Sequence, residues 1–512
     1  MRTYFVDESR FYTDEPYVEK NEFKNQKPEN AEVPVYNNIK DKLPQIIWDN
    51  HENAIKCYEK TWEIAFNNIK KPYEGSGFVS NFIDTAFNGA IFMWDSSFMM
   101  MFGKYGIKAF DFQQTFNNFY AKQHKDGFIC REIRESDGGD YFTRFDPIST
   151  GPDIMGWAEW EYYKFTGNKE RLKRVFDPLM AFHKWMHNNR TWRDGSYWSS
   201  GWGCGMDNIP RLEEGYDIQF SHGHMVWIDT CFQAVLSADM LIKIANEIGR
   251  TDEVKDIIRE KEMLNNYIND NLWDDVTGFY YDKWKNGEFN YVKTIGSYWG
   301  LLSGSMPETR MNKMVSYLDD DSKFRSVHRI PTLSRDDKYY NSEGGYWCGS
   351  VWAPTNYMVL CGLRNNGYDT LAYEIALNHH ENVVESFNRT GTVWENYCQE
   401  QYGVKSSSRG DFVGWTGLVP IAVLIEFVFG IRIDYLERKI VWNLNRMEEH
   451  GVKNLPFGDG TVSLICKGRK SETDALHIVA ESDCDVELEI ISNRKRQRIH
   501  IYKSEKCDRI IK

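Results

Sequence analysis

The sequence predicts a mainly α-helical protein in which paired helices close into a toroid, followed by a small C-terminal β-sandwich. Two observations support this fold class. From about residue 85 to about residue 430 one pattern recurs: a helix with an apolar stripe, a glycine stop, a second helix, and a glycine–aromatic turn into a long loop. After about residue 432 the hydrophobic period changes from helical to alternating, which is typical of strands.

The helical pairs are marked by their glycine stops and caps. Gly167 is placed to end one helix and Asn168 to cap its partner. The same pattern recurs at Gly249, where Thr251 or Asp252 would cap the second helix. Arrays of paired helices form solenoids or toroids, and the long Trp-rich loops favour the toroid because solenoid repeats have brief connections.

Each pair ends in a small turn that places glycine beside or near an aromatic residue. These turns are Asp126–Phe128, Asp194–Tyr197, Thr277–Tyr280 and Thr390–Trp394. If the repeats are in register, the loops that follow open on one rim of the toroid. Asp207 and Glu395 each lie in such a loop, so both are predicted to lie on the same face of the molecule.

The change in pattern divides the chain into three predicted segments. Residues 1–45, rich in Asn, Glu, Tyr and Pro without a period, are expected to form an extended arm on the helical domain. Residues 46–432 are predicted to form the helical domain and residues 433–512 the β-sandwich.

Composition excludes several classes of protein. The net charge of −13 argues against nucleic acid and membrane surfaces as partners, because both would need a concentrated basic patch. Acidic residues near the N-terminus interrupt any signal peptide, and no span of membrane-crossing length follows, so a cytoplasmic protein is predicted. The 10 cysteines include no CxxC pair and are expected to be buried thiols. The oligomeric state is left open.

Five segments of the helical region combine polar and aromatic residues. They are MWDSSF (93–98), SGWGCGMDNIPRL (200–212), GGYWCGSVWAPTN (344–356), WENYCQEQYG (394–403) and DFVGWTGLVP (411–420). Aromatic residues make up 15% of the chain, and their faces stack on the apolar C–H faces of sugar rings. The pattern favours a sugar-binding site built from loops.

In this order, the segments resemble the glycoside hydrolase clan that contains the family 63 α-glucosidases, the trehalases, and the mannosylglycerate and glucosylglycerate hydrolases. The resemblance covers about residues 85–430. It implies an (α/α)6 toroid, built from six helical hairpins, that hydrolyses an α-glycosidic bond with inversion. It implies a small carbohydrate substrate and no cofactor or metal.

The resemblance also implies the roles of two carboxyl groups. The general acid of such enzymes lies in a stretch similar to GMDNIPRL, which selects Asp207, and the general base in one similar to WENY, which selects Glu395. Inverting hydrolases separate these groups by about 6.5–9.5 Å, to leave room for a water. Trp202 and Met206 would make the surroundings of Asp207 less polar and favour its protonated form. Glu395 is expected to remain ionised.

Structural roles for both residues remain open from the sequence. Asp207 precedes Asn208 and Pro210 and could be a turn or N-cap aspartate. Glu395 could be a solvated loop glutamate, and Glu400 is a rival base nearby.

Further residues are expected to bind the sugar. The resemblance implies that Asp95 bonds sugar hydroxyls, although it could instead cap a helix. The aromatic residues expected to wall the site, any of which could be core, are Trp94, Trp202, Tyr346, Trp347, Trp352 and Trp415. Many relatives carry an arginine where Cys348 stands, so the aglycone is expected to be recognised differently. His222 and His224 are too few for a metal site.

The sequence therefore predicts an exo-acting, inverting α-glycosidase, specifically an α-glucosidase acting on a disaccharide, short oligosaccharide or small glucoside. Two alternatives belong to other classes. A sugar isomerase or epimerase on a similar toroid would use histidines as proton shuttles. A non-catalytic sugar-binding protein would keep the aromatic residues without needing the acid and base.

Overall fold

A computed structural model describes residues 13–29, 31–85, 88–212, 215–218, 220–405, 407–493 and 495–511. Its helices, in chain order, are α1 (Pro16–Glu19), α2 (Tyr36–Ile39), α3 (Glu52–Asn67), α4 (Met93–Gly103), α5 (Gln114–Ala121), α6 (Met155–Thr166), α7 (Lys169–Asn189), α8 (Ile228–Ile248), α9 (Lys255–Asn271), α10 (Trp299–Ser303), α11 (Glu308–Leu318), α12 (Ala353–Asn365), α13 (Asp369–Thr390) and the π-type helix α14 (Val419–Val428).

The longer helices alternate between an inner and an outer layer. The inner helices include α4 and α14, which are buried along their whole length, as expected of helices that are apolar all round. Inner helices contact one another in the order α4, α6, α8, α10, α12, and the turn 416–418 before α14 contacts both α12 and α4. This closed ring agrees with the predicted toroid of helices. The number of hairpins stays a prediction.

Among the outer helices, α9 buries one face only. In α9, Ile257, Leu264 and Ile268 are the buried residues, while the rest of the helix is partly or fully exposed. Together the two layers place the core between the inner helices and the inward faces of the outer ones.

The predicted stop and cap around residue 167 are confirmed. Gly167 has a φ of +71°, which ends α6 in the left-handed conformation that glycine tolerates best. The Asn168 side chain accepts a hydrogen bond from a backbone N–H in the first turn of α7. The predicted cap at Thr251 or Asp252 is wrong, because both belong to a 3₁₀ turn, and α9 begins only at Lys255.

The strands, in chain order, are β1 (Gln45–Trp48), β2 (Ile69–Lys70), β3 (Phe82–Ile83), β4 (Ala90–Phe92), β5 (Glu132–Arg134), β6 (Met225–Val226), β7 (Trp273–Asp274), β8 (Phe279–Tyr280), β9 (Asp282–Trp284), β10 (Phe289–Asn290), β11 (Ile431–Asp434), β12 (Lys439–Asn443), β13 (His450–Phe457), β14 (Gly460–Cys466), β15 (Leu476–Ser482), β16 (Val486–Ser492), β17 (Lys495–Ile501) and β18 (Lys506–Ile511). The C-terminal strands form two sheets, in the orders β1-β13-β14-β15-β18 and β11-β12-β16-β17. Burial alternates along β15, as the sequence predicts for strands with one face in a core.

The N-terminal segment contributes to the C-terminal sheet. β1 precedes the helical ring, yet it pairs antiparallel with β13, from Gln45 opposite Lys453 to Trp48 opposite His450. Residues 13–45 also include α1 and α2, so they are more structured than an extended arm, whereas residues 1–12 and 30 lie outside the described residues. The division at 45/46 and 432/433 stays a prediction, and both positions fall within strands.

Two properties expected from composition can be compared with the structure. All ten cysteines are free thiols, and most are buried. In the part of the chain that the structure describes, no helix combines the length and apolarity needed to cross a membrane.

Candidate active site

A cavity of about 290 Å³ gathers residues from loops that are far apart in the sequence. The predicted site residues that line it are Trp94, Asp95, Trp202, Asp207, Tyr346, Trp347, Glu395 and Trp415. The lining residues that the sequence did not predict are Asn88, Phe92, Arg131, Glu132, Gly151, Pro152, Gly205 and Arg409. The predicted meeting of the Asp207 and Glu395 loops on one face agrees with this geometry.

Trp352 is the one predicted site residue that does not line the cavity. Its ring stacks on that of Trp347, with centroids 3.7 Å apart and planes 8° from parallel. Its indole N–H donates to the backbone oxygen of Tyr346 at 3.2 Å. Trp352 is fully buried, so it supports the aromatic wall from behind rather than forming it.

Asp207 lies in the loop after α7, beside the buried side chain of Met206. Burial raises the pKa of Asp207 to about 7. The negative charges of Glu132 and Glu395 add to this increase, and Arg131 opposes it. A carboxyl group with this pKa is substantially protonated at neutral pH, as a general acid must be.

Glu395 lies in the loop after α13 and is only 5% exposed. Its backbone is held by two hydrogen bonds: the Trp415 indole donates to its oxygen at 2.8 Å, and its N–H donates to the oxygen of Arg409 at 2.9 Å. The Tyr346 hydroxyl donates to its carboxylate oxygen Oε1 at 3.1 Å. Burial raises the pKa of Glu395, and the contacts with Tyr346 and Arg409 limit the increase.

Asp95 lies in the first turn of α4 and is 4% exposed. Burial raises its pKa well above the ordinary value, and the charges of Glu395 and Glu132 add to the effect. Among the described residues, its oxygen Oδ1 and the indole nitrogen of Trp94 have no hydrogen-bond partner. Buried polar atoms in proteins are usually paired, so these two groups at the cavity wall are suited to the hydroxyls of a ligand.

Arg131 and Glu132 form an ion pair at the start of β5, with Nη2 2.6 Å from Oε1. The Arg131 guanidinium also donates through Nη1 to the backbone oxygen of Trp202 at 2.7 Å, and it lies over the ring of Phe142. β5 pairs with β4, which leads directly into α4, and this pairing brings both residues beside Asp95. The sequence carries no motif for this contact, because strands of three residues are too short to show a period.

Glu400, the rival base, is not among the residues that line the cavity. Its carboxylate accepts a hydrogen bond from the Tyr340 hydroxyl at 2.7 Å and pairs with Arg335 at 3.3 Å. These contacts hold the Glu400 carboxylate away from the cavity lining.

His222 and His224 contact each other, with ring centroids 4.9 Å apart, and both pack near Trp192. Over the described ranges, no group of three or more His, Cys, Asp or Glu side chains is placed to hold a metal ion.

Comparison with known proteins gives one family. Residues 93–409 match the family described as the mannosylglycerate hydrolase MGH1-like glycoside hydrolase domain. An uncharacterized protein of Borreliella burgdorferi is 25% identical over 389 residues, which cover 73% of this chain and 79% of that protein. A probable mannosyl-oligosaccharide glucosidase of Schizosaccharomyces pombe is 27% identical over 406 residues, covering 64% of this chain and only 48% of that protein.

Solved structures show the same fold. The crystal structure of the GH63 mannosylglycerate hydrolase from Thermus thermophilus in complex with glucose matches with a TM-score of 0.57 and 20% identity, over 71% of this chain and 99% of that one. The resemblance that the motifs indicated is confirmed. Because the matched region exceeds half of the sequence and includes both candidate catalytic carboxyl groups, the chain belongs to the MGH1-like family, and the protein is a glycoside hydrolase.

Proposed function

We propose that the protein is an exo-acting, inverting α-glycosidase that releases glucose from a disaccharide, short oligosaccharide or small glucoside. Asp207 is the general acid and Glu395 the general base. One observation carries the proposal: a single cavity holds two buried carboxyl groups with different surroundings. Burial raises the pKa of both groups, to about 7 for Asp207, whereas the Tyr346 hydroxyl and Arg409 limit the increase for Glu395 and so help it to stay ionised.

The two groups divide the reaction between them. Asp207 transfers its proton to the glycosidic oxygen as the bond from that oxygen to the anomeric carbon breaks. Glu395 accepts a proton from a water, whose oxygen forms the new bond to the anomeric carbon on the opposite face of the ring. An α-linked substrate therefore yields the β anomer, and exchange with solvent restores both carboxyl groups.

The size and polarity of the cavity favour a single terminal sugar. Its volume of about 290 Å³ lies near the lower end of small-molecule sites, which span about 300–1,000 Å³. Asp95 and the Trp94 indole offer unpaired polar atoms to sugar hydroxyls, and Trp202, Trp347 and Trp415 supply aromatic faces.

The surroundings of Asp207 favour a neutral aglycone. A leaving group must lie beside the general acid, and Arg131 is a cation there, opposing the increase in the pKa of Asp207. Its charge is already compensated by Glu132 and its Nη1 is bonded to the oxygen of Trp202. A carboxylate-bearing aglycone such as glycerate would have to compete with Glu132 for Arg131.

The toroid is proposed to consist of six hairpins. Five of them join consecutive helices: α4 with α5, α6 with α7, α8 with α9, α10 with α11, and α12 with α13. The sixth pairs α14 with α3, which contact each other although α3 precedes α4 and α14 follows α13 in the chain.

The proposed function is tested by incubating the protein with α-linked glucosides, mannosides and galactosides and following the first-formed anomer by proton NMR. We expect glucose to appear first as the β anomer, and a neutral α-glucoside to react faster than an α-glucosylglycerate. Release of the α anomer first would contradict inversion. A faster reaction of the glycerate substrate would contradict the proposed preference for a neutral aglycone.

The other classes fit the cavity less well. An isomerase or epimerase needs proton shuttles, and none of the described residues that line the cavity is a histidine. A non-catalytic sugar-binding protein could use Asp95 to bind hydroxyls but would not need Asp207 and Glu395 as well, because keeping further carboxyl groups away from water is costly.

Separate substitution of the two glutamates tests the choice of base. Glu395→Gln is expected to lower kcat by about 10²–10⁴-fold, the usual contribution of a general base. Glu400→Gln is the matched control and is expected to leave kcat unchanged, because Glu400 pairs with Arg335 outside the cavity. The measurement is steady-state hydrolysis of an α-glucoside. Full activity of Glu395→Gln would exclude Glu395 as the base. A large loss of kcat in Glu400→Gln alone would assign the role of base to Glu400.

The pH dependence of kcat/KM is expected to be bell-shaped, with its alkaline limb near pH 7. The acid acts only while protonated, so activity falls as pH rises through the pKa of Asp207, which burial raises to about 7. The base acts only while ionised, so activity falls as pH drops through the pKa of Glu395, which burial raises above its ordinary value. Initial rates across the acidic, neutral and alkaline ranges check both limbs, and an activity that is constant through neutral pH would contradict this assignment of the acid.

A further inference from the structure

Asn208, the residue after the proposed acid, joins its loop to the loop that carries Tyr346. The amide Nδ2 of Asn208 donates to the backbone oxygen of Gly345 at 3.0 Å. The backbone N–H of Trp347 donates to the amide Oδ1 of Asn208 at 2.9 Å. One side chain therefore holds the residues on both sides of Tyr346.

Tyr346 is in a conformation that needs such support. Its φ is +63°, in the left-handed region that bulky residues rarely adopt. Such a conformation is unfavourable for a bulky residue and persists only where the surroundings impose it. Asn208 holds the two flanking residues, and the Trp352 indole donates to the oxygen of Tyr346 itself. In this conformation the Tyr346 hydroxyl reaches Glu395, at 3.1 Å from Oε1.

We propose that Asn208 is a positioning residue, which acts through Tyr346 to set the place of Glu395 relative to Asp207. This proposal rests on the proposed function. The acid and the base come from loops that follow different helices, α7 and α13, so their separation depends on how the loops are joined. Inverting catalysis needs that separation within about 6.5–9.5 Å, and catalytic groups generally have to be held to within about 0.5 Å.

The link also bears on the ionisation of the base. The charged or titratable groups that face Glu395 are Tyr346, Arg409, Asp95 and Asp207. Of these, Tyr346 donates a hydrogen bond that lowers the pKa of Glu395. When Tyr346 moves away, the pKa of the base rises, and the acidic limb of the kcat/KM profile shifts to higher pH.

The first test is a double-mutant cycle in the full chain, with Asn208→Ala, Tyr346→Phe and their combination. Asn208→Ala is expected to lower kcat by up to about 10²-fold, the cost of misplacing a reacting group by about 1 Å, with a smaller change in KM. The double variant should lose no more than Tyr346→Phe alone, because both substitutions act on one contact. Losses that multiply, or an unchanged acidic limb in Asn208→Ala, would overturn the proposal.

Two controls separate positioning from stability. Asn286→Ala removes an exposed asparagine that also bonds through its side chain, in the turn between β9 and β10, and should leave kcat and the pH profile unchanged. Asn208→Asp keeps the acceptor for the Trp347 N–H but loses the donor to Gly345. It is expected to fall between the wild type and Asn208→Ala, and it serves as the test variant if the alanine variant does not fold.

A second readout does not depend on turnover. In a crystal structure of Asn208→Ala, the hydrogen bond between the Tyr346 hydroxyl and Glu395 is expected to be lost or lengthened beyond hydrogen-bond distance. The same bond retained at 3.1 Å would overturn the proposal even if the variant is inactive. A wild-type protein that cleaves no glycoside would instead contradict the proposed function and leave this structural result to decide the role of Asn208.

Discussion

Asp207→Asn is expected to lower kcat for an unactivated α-glucoside by about 10²–10⁴-fold, because the carboxamide has nearly the same shape but cannot give up a proton to the leaving oxygen. Asp207 lines the cavity, and the substituted side chain fills the same space there, so KM should change much less. Steady-state kinetics of the variant and the wild type give both constants.

The leaving group makes this test specific. Fluoride leaves α-glucosyl fluoride with little need for protonation. Asp207→Asn should therefore slow hydrolysis of this substrate far less than hydrolysis of a glucoside with an alcohol aglycone. Asp217→Asn, at an exposed position in the same loop region, is the matched control and should match the wild type. Equal losses for both kinds of substrate would contradict the role of Asp207 as the acid.

Arg211→Met is expected to destabilise the folded state by about 3–5 kcal/mol, the usual result of leaving buried charges without their partner. Arg211 is fully buried and pairs with Asp229 at 2.8 Å and Asp282 at 3.3 Å, and it donates to the Thr294 hydroxyl at 3.0 Å. Burial raises the pKa of Asp282 to about 6 even with Arg211 in place. Without the guanidinium, both carboxylates would be buried and uncompensated.

Chemical denaturation of the wild type and the variant measures this difference. The difference should shrink as pH falls, because a protonated carboxyl group carries no charge that needs a partner. Arg259→Met is the matched control: its ion pair with Asp256 is exposed, and such pairs contribute about 0–1 kcal/mol. A loss as small for Arg211→Met as for Arg259→Met would show that the buried pairs add no net stability. Arg211 lies four residues after Asp207 in the same loop, so reduced activity of the variant is expected as well.

The parts of the fold that depend on local chemistry could be predicted from the sequence. Gly167 and Asn168 mark a helix stop and a cap through their own backbone preferences, and the structure has both. The 3₁₀ turn before α9 could not be predicted, because it depends on how the chain packs between helices. The two proposed catalytic residues could be placed on one face because each follows an equivalent turn, and the cavity holds both.

The remainder of the site depends on which way the side chains of the loops point. Glu395 and Glu400 are close in sequence, yet one lines the cavity and the other pairs with Arg335. Trp347 and Trp352 belong to one motif, yet one forms the wall and the other stands behind it. Loops lack the regular spacing of side chains by which a helix or strand sequence shows which residues share a face. The Arg131–Glu132 pair could not be predicted from the sequence, because the pairing of β5 with β4 brings it to the cavity.

The pairing of β1 with β13 joins the segments before and after the helical ring. β1 precedes α3 and β13 follows α14, and α3 and α14 contact each other where the ring closes. The C-terminal sheet therefore links the two ends of the ring at its closure. Truncation after residue 432 would remove β13, the only described strand partner of β1. We therefore expect the helical domain to lose stability at the ring closure when the C-terminal sheet is removed.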